Sequence, residues 1–267
     1  MRIPKFFFLA HMTVLVMAMA TSCGGNKQDR TSPISAAGNI NPSGRPVDTD
    51  TAGSVSGTVR LQGNPPSRRQ INMSGVPNCS KQHSSPALTE EVVPGNGGTL
   101  QNVIVYLKGD LGSYALKVPE LSVKLDQNGC IYKPHVTALM VGQPLEVTNS
   151  DQATHNIHSL AKANRPRNDS QSPGTAPIIQ SFSHQEIAIQ VKCNVHPWMK
   201  AYVAVLSNPY FQVTGEDGSF EIKNVPPGEY KLLAWHELYG TSEEAITVAP
   251  NESKTITITF KTNRASD

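Results

Sequence analysis

Seven consecutive residues, Cys193-Asn194-Val195-His196-Pro197-Trp198-Met199, bring a thiol, an imidazole and a thioether together. Well upstream lies Thr154-His155-Asn156-Ile157-His158, which offers two more imidazoles. One cysteine, two histidines and a weak axial methionine are the donor set of a blue-copper centre, which exchanges single electrons. A cysteine beside a histidine can also be a nucleophile and its base. No third orienting residue or oxyanion motif accompanies this pair, and no phosphate-cradling glycine loop or serine nucleophile elbow is present. The chemistry these residues point to is therefore metal binding with electron transfer, not substrate turnover.

Such a centre needs strands that aim its donors at one point. Along His184–Cys193 the apolar residues Ile187, Ile189 and Val191 alternate with Glu186, Ala188, Gln190 and Lys192. Strand geometry of period two then puts Cys193 on the inward face at the strand end. Met199 is in phase with Ala201, Val203 and Val205 on the next strand, so the short loop between them turns Cys193, His196 and Met199 toward one place. Upstream, Leu145 and Val147 alternate on a strand that ends near Asn149. His155 and His158 are three positions apart, so on an extended chain they face opposite ways and one of them reaches the metal. Asn156 is placed to hydrogen-bond across to the cysteine loop and steady both segments.

The pair His155-Asn156-Ile157-His158 and Cys193-x-x-His196-x-x-Met199 resembles the cupredoxins, and among them the amicyanins. The resemblance covers 111–207 and implies a Greek-key β-sandwich. It implies His155, Cys193, His196 and Met199 as ligands of one type-1 copper ion, with Asn156 supporting them. It also implies that electrons enter through the ring edge of His196, that Pro197 and Trp198 form an apolar patch around it, and that a redox protein partner docks there.

The whole folded part reads as all-β. Short β-branched or alternating runs lie at Ser54–Leu61, Val103–Lys108, Leu121–Leu125, Pro144–Asn149, Glu186–Cys193, Ala201–Leu206, Ser219–Ile222, Tyr230–His236 and Thr255–Lys261. Turns rich in Gly, Pro, Asn and Asp separate them, and no amphipathic helix stands out. Asp217-Gly218 and Pro226-Pro227-Gly228 read as hairpin turns. The segment from Gly215 through Phe220 and Val225-Pro226-Pro227-Gly228 to Tyr230 resembles the carboxypeptidase regulatory-like (prealbumin-like) module. The opening strand of that module is matched by Ser56-Gly57-Thr58-Val59 and its turn by Gly63-Asn64-Pro65. This implies a second, discontinuous sandwich from 54–110 and 208–262, with the copper domain inserted at 111–207. A linear arrangement of three pieces is the competing layout.

The beginning of the chain indicates where such a protein works. Arg2 and Lys5 precede an apolar run and small residues, as in a secretory signal over residues 1–22. Ala20-Thr21-Ser22-Cys23 resembles a bacterial lipobox, which implies lipidation of Cys23 and a membrane anchor in the cell envelope, at the periplasmic face or outer membrane. Cleavage near Ser22 with Cys23 as a plain thiol is the alternative. Residues 23–53 are polar and predict a disordered tether. Without residues 1–22 the balance is 21 basic against 21 acidic groups, since only Arg2 and Lys5 leave the total of 23 and no acid is lost. A neutral chain is not a nucleic-acid binder.

Three cysteines then remain: Cys79, Cys130 and Cys193. Pairing Cys79 with Cys130 would leave Cys193 free for the metal, whereas either other pairing would consume it. Cys79 with His83 and Cys130 with His135 could instead make a second metal site. His135 otherwise reads as a surface residue at a strand end, and His158 as a packing or surface histidine. Trp235-His236-Glu237 reads as one core and one exposed group on opposite faces. Two functions fit: a lipid-anchored carrier of single electrons, or a non-redox envelope protein, binding or structural, that stores copper or is stabilised by it.

Overall fold

The computed structural model describes residues 40–262, so the signal-like segment, Cys23 and much of the polar tether lie outside the described residues. The tether expected to run free to Gly53 is seated on the fold from Ile40 onward. Its polar composition hid three anchors. Ile40 donates a main-chain hydrogen bond to Leu116 O, the Arg45 guanidinium lies over the Tyr114 ring, and Val47 packs on the core.

Sixteen strands follow. β1 (Gly53–Gln62) and β2 (Ile104–Gly109) flank a long connection that holds one four-residue helix, α1 (Pro77–Ser80). Next come β3 (Val123–Gln127), β4 (Tyr132–Lys133), β5 (Val136–Met140), β6 (Leu145–Asn149), β7 (His155–Ser159), β8 (Arg167–Gln171), β9 (Ile178–Gln180), β10 (Glu186–Lys192) and β11 (Lys200–Leu206). The last group is β12 (Phe211–Val213), β13 (Ser219–Val225), β14 (Gly228–His236), β15 (Gly240–Val248) and β16 (Ser253–Lys261). Each of the nine runs read from alternation contains a strand. β4, β5, β7, β8, β9, β12 and β15 were not among them: β4, β9 and β12 are only two or three residues long, β7 and β8 are rich in polar residues, and β15 carries Glu243 and Glu244 on a sheet edge.

The strands make four sheets in two sandwiches. The first joins the two ends of the described residues, with order β13-β1-β16 facing β12-β2-β14-β15. Val55, Val59, Leu107, Phe220, Leu232 and Ile258 lie in the core between them. β1 is wedged between two partners and runs parallel to β16. Gly57 permits that approach, because a Cβ there would sit 1.8 Å from Ile256 O. The second sandwich is built from β3–β11, with order β5-β11-β10-β7-β8 facing β4-β3-β6-β9. Leu125, Leu139, Val147, Ile157, Ile189 and Val203 form its core.

The turns at Asp217-Gly218 and Pro226-Pro227-Gly228 are not hairpins. β12 pairs with β2 while β13 pairs with β1, and β14 returns to β2, so both turns carry the chain from one sheet to the other. Turn residues set a local reversal, but the inward faces of Phe220 and Ile222 choose the sheet. The hairpin of this region is β14–β15, closed by Gly240 at φ 70°.

β11 is covered on both faces. Ala201, Val203 and Val205 point into the second core, while Ala204 and Leu206 join Ile104, Tyr106, Val136 and Leu233 in a layer between the two sandwiches. The first sandwich thus backs the strand that follows the cysteine loop.

Candidate metal centre

Two adjacent strands carry the donors. β7 and β10 are antiparallel neighbours, with Val191 opposite Ser159 and Lys192 opposite His158. Along β7 the buried residues are His155, Ile157 and Ser159, so the histidine that faces inward is His155. His158 turns outward and its Nδ1 lies 2.9 Å from Asn194 Oδ1.

Cys193 also faces inward, but not through unbroken alternation. A β-bulge between Glu186 and Ile189, with Ala188 at φ 65°, shifts the phase of β10. Ile187 therefore packs on the layer between the sandwiches, while Ile189, Val191 and Cys193 enter the second core. An extra residue in one strand reverses the face of everything before it. Beyond Cys193 the loop folds back on itself: Met199 N–H donates to His196 O at 2.9 Å, and Cys193 N–H donates to Met199 O at 3.3 Å. Met199 is buried in the same core.

Donor atoms of His155, Cys193 and His196 all lie within 4.8 Å of one another, and all three residues are buried. The two Nδ1 atoms of His155 and His196 are 2.9 Å apart, and Cys193 Sγ is 3.8 Å from His196 Nδ1. A first-row ion holds thiolate sulfur at about 2.3 Å and imidazole nitrogen at about 2.0–2.1 Å, so a trigonal ion spreads an S,N pair about 3.8 Å apart. The donor set is soft and imidazole-rich, the combination that suits copper. Its S–N spacing fits such an ion, whereas the two nitrogens at 2.9 Å would have to part to about 3.5 Å to share one.

The electrostatics prepare both sides of the pocket. His155 Nε2 donates to Asp151 Oδ2 at 2.8 Å, which leaves Nδ1 free to face Cys193 and His196. Asp151 also accepts from Gly129 N–H at 2.6 Å and Cys130 N–H at 2.7 Å. Burial raises the Asp151 carboxyl, but these hydrogen bonds outweigh it and hold the group below its ordinary value. Burial likewise opposes charge on His155, yet Asp151 and Cys193 together push it up to about 9. The Cys193 thiol is raised by burial but brought down overall by His155 and by Asn156 N–H, which donates to Sγ at 3.3 Å. Burial and the neighbouring His155 lower His196. The pocket thus favours a thiolate beside a protonated His155, with the His196 nitrogen unprotonated; an ion that displaced the His155 Nδ1 proton would meet two ring nitrogens and a sulfur.

Asn156 does bond across to the cysteine loop, as expected, but Asn168, Tyr132 and Asp151 escaped the sequence. Asn156 meets the sulfur with its main-chain amide, while its side chain donates to Asn168 Oδ1 at 3.4 Å. Asn194 Nδ2 donates to the same oxygen at 3.2 Å, so Asn168 on β8 is the hub that ties the histidine strand to the cysteine loop. Tyr132 Oη donates to Asn156 O from beneath. Asp151, four positions before His155, carried a readable signal, because a carboxylate near a candidate ligand is a common orienting partner.

The ring edge of His196 is not at the surface. The residue is 3% exposed, and its Nε2 lies 3.6 Å from Cys79 Sγ. Cys79 and Cys130 are joined in a disulfide, both buried, and Cys193 is the free cysteine among the described residues. Trp198 closes the remaining side, its ring 5.2 Å from that of His196 and its Nε1–H donating to Cys130 O at 2.9 Å. Pro197 and Val195 are the exposed residues of the loop, along with Asn194. The expected exposed edge is lost because the β1–β2 connection crosses over from the first sandwich, with Met73 and Cys79 entering the second core.

The alternative pairing of Cys79 with His83 and Cys130 with His135 is not formed. His83 Nε2 lies 2.7 Å from Gly129 O, whereas His135 is buried at the layer between the sandwiches. There it pairs with Glu237, which also accepts from Lys200 Nζ at 2.7 Å. His135 is therefore no surface residue and Glu237 is not exposed; the hydrogen bond between them and the Lys200 charge satisfy the buried carboxylate.

A protein-family model described as polysaccharide lyase family 4, domain II, matches residues 180–257. No curated protein matches the chain. Among solved structures, a copper-containing nitrite reductase from Thermus scotoductus is 21% identical with a TM-score of 0.30, over 36% of this chain and 24% of that one. A purple cupredoxin from Nitrosopumilus maritimus is 21% identical with a TM-score of 0.27, over 32% of this chain and 99% of its own. A Cu(I) form of an amicyanin variant is 19% identical with a TM-score of 0.29, over 33% and 85% respectively.

Proposed function

We propose that this chain is a copper protein of the cell envelope that carries single electrons, with His155, Cys193, His196 and Met199 as ligands of one type-1 ion. The observation that carries this reading is the convergence of His155 Nδ1, His196 Nδ1 and Cys193 Sγ in one buried pocket. Copper bound there supplies one-electron exchange between its two common oxidation states.

The chain's own residues do the rest. Asp151 holds the Nε2 proton of His155 and so keeps Nδ1 as the donor. Asn156 N–H steadies the thiolate, and the Asn168 hub keeps the two donor segments in register. Burial excludes water, and a sandwich backed by a second sandwich resists the change of shape that would slow electron exchange. The disulfide supports an oxidising compartment outside the cytoplasm. Lipidation at Cys23 would tether the protein to the membrane, and Pro197 with Trp198 is where a redox protein would dock.

A second reading is favoured by one observation. With His196 covered by the disulfide and Trp198, the ring has no open edge for a partner, as suits a protein that stores copper or is stabilised by it. Purified protein given Cu(II) is expected to turn intensely blue, bleach with ascorbate and lose the band in Cys193→Ser. A colourless protein would remove the electron-carrier reading.

A further inference from the structure

We infer that Cys79, Cys130 and His196 form a second site for a soft monovalent ion, Cu(I), which opens when the disulfide is reduced. Their donor atoms lie within 4.8 Å of one another and all three residues are buried. This site shares His196 with the centre proposed above, but it does not depend on that centre being filled.

The imidazole is the key. One ring faces two sulfur chemistries: Nδ1 looks toward His155 and Cys193, and Nε2 looks toward Cys79 Sγ at 3.6 Å. A disulfide sulfur is a weak acceptor, so a nearly fully buried ring nitrogen is left with a poor partner. Reduction replaces that partner with two thiols. Thiolates and imidazole are the ligands that select Cu(I), and a two-sulfur, one-nitrogen set is a complete low-coordinate site for it. Cys130 is also held in an unusual backbone, with φ 53° and its N–H given to Asp151. Strained non-glycine residues gather at functional sites.

The reductant has a way in. Cys79 sits on the β1–β2 connection, which has few main-chain bonds to the second sandwich: those between Arg69 and Thr89, such as Ile71 N–H to Ala87 O and Thr89 N–H to Arg69 O, run within the segment. A cleft of about 570 Å³ runs along this strap, lined by Met73, Ser80 and His83. Segments with few such bonds open locally without global unfolding.

The chemistry balances. A dithiol protein in the envelope, or a phosphine in the test tube, delivers two electrons, and two protons complete the thiols. The dithiol becomes a disulfide, or the phosphine takes up water oxygen to become its oxide. Cu(I) then displaces the two thiol protons as it binds and, where the first centre is also filled, the one ring proton of His196, which bridges the two ions as imidazolate.

The test is a stoichiometric titration of Cu(I) against a chromophoric Cu(I) chelator, under argon. Cys23 is replaced by serine in every sample so that no fourth thiol contributes. Oxidised protein is expected to hold one Cu(I), and phosphine-reduced, desalted protein two. Cys193→Ser should go from none to one on reduction, with two sulfur and one nitrogen neighbours by X-ray absorption. Cys79→Ser/Cys130→Ser should stay at one in both states, with circular dichroism reporting its fold. If that double variant does not fold, the oxidised and reduced unmutated samples still decide. A reduced chain with all its thiols free that holds no more Cu(I) than the oxidised chain would overturn the second site. None when oxidised and one when reduced would leave the second site standing and remove the centre proposed above.

Discussion

Asp151 and His155 are both fully buried, and the His155 Nε2–H points at Asp151 Oδ2 from 2.8 Å. The carboxylate is charged because two main-chain amides and this imidazole bind it, and its charge keeps a proton on His155 Nε2. Removing that charge is predicted to loosen the centre without emptying it. Asp151→Asn should weaken copper binding by roughly 10–100-fold, the usual range for lost outer-shell partners of a ligand. A competition titration against a copper chelator checks it, and an affinity unchanged from the parent protein would deny Asp151 its orienting role.

Much of this cluster was legible because its donor residues are rare types at short spacing on alternating strands. The inward face of His155 follows from β7 being extended, with His158 on the other side. What period two alone could not show is the bulge at Ala188, which puts Ile187 in a different layer from Ile189. Nor does any local pattern reveal that a segment near Met73 and Cys79 crosses to cover His196. Such contacts join residues far apart in sequence, as Cys79 and His196 are, and leave no periodic trace. His135 misled for a similar reason: beside Pro134 it looks like a strand end, and its partner Glu237 lies in the other sandwich.

The disulfide closes a sequence separation of 51 residues. The loop-closure entropy removed from the unfolded chain corresponds to about 4 kcal/mol. Cys79→Ser/Cys130→Ser is predicted to lower the unfolding free energy by up to that amount. Chemical denaturation of the oxidised protein and the variant measures it. An unchanged midpoint would mean that the strap does not restrain the second sandwich.

Glu237 ties the sandwiches together by accepting from both His135 and Lys200 while nearly buried. Burial raises its carboxyl, but the hydrogen bonds from His135 and Lys200 hold it below its ordinary value. Breaking a buried ion pair costs about 3–5 kcal/mol when the surviving charge is stranded. Lys200 is a quarter exposed and keeps Glu91 at 3.1 Å, so Glu237→Gln is predicted to cost less, roughly 2–3 kcal/mol. The loss should appear as a lower melting temperature with the copper stoichiometry unchanged.

His236 lies in the first sandwich, stacked on Tyr239 with ring centroids 4.8 Å apart and close to Phe260. Its Nδ1 accepts from Leu238 N–H at 3.2 Å, and its Nε2 has no partner. Burial drives its pKa down to about 4, with the Glu237 charge opposing and His135 adding to the effect. In the unfolded chain an imidazole titrates near 6.5, so the folded value is the lower one. Above about 6.5 both states are neutral and stability is complete. As pH falls from about 6.5 toward 4 the unfolded chain takes up its proton first and stability declines, by roughly 3 kcal/mol for a shift of this size. His236→Phe is neutral at every pH and fits the aromatic stack, at the loss of one hydrogen bond of about 1 kcal/mol. It should be the less stable protein at pH 7 and the more stable one at pH 4.5. Urea unfolding at the two values reads the crossing directly, and parallel pH profiles for the two proteins would show that His236 charges in the folded state.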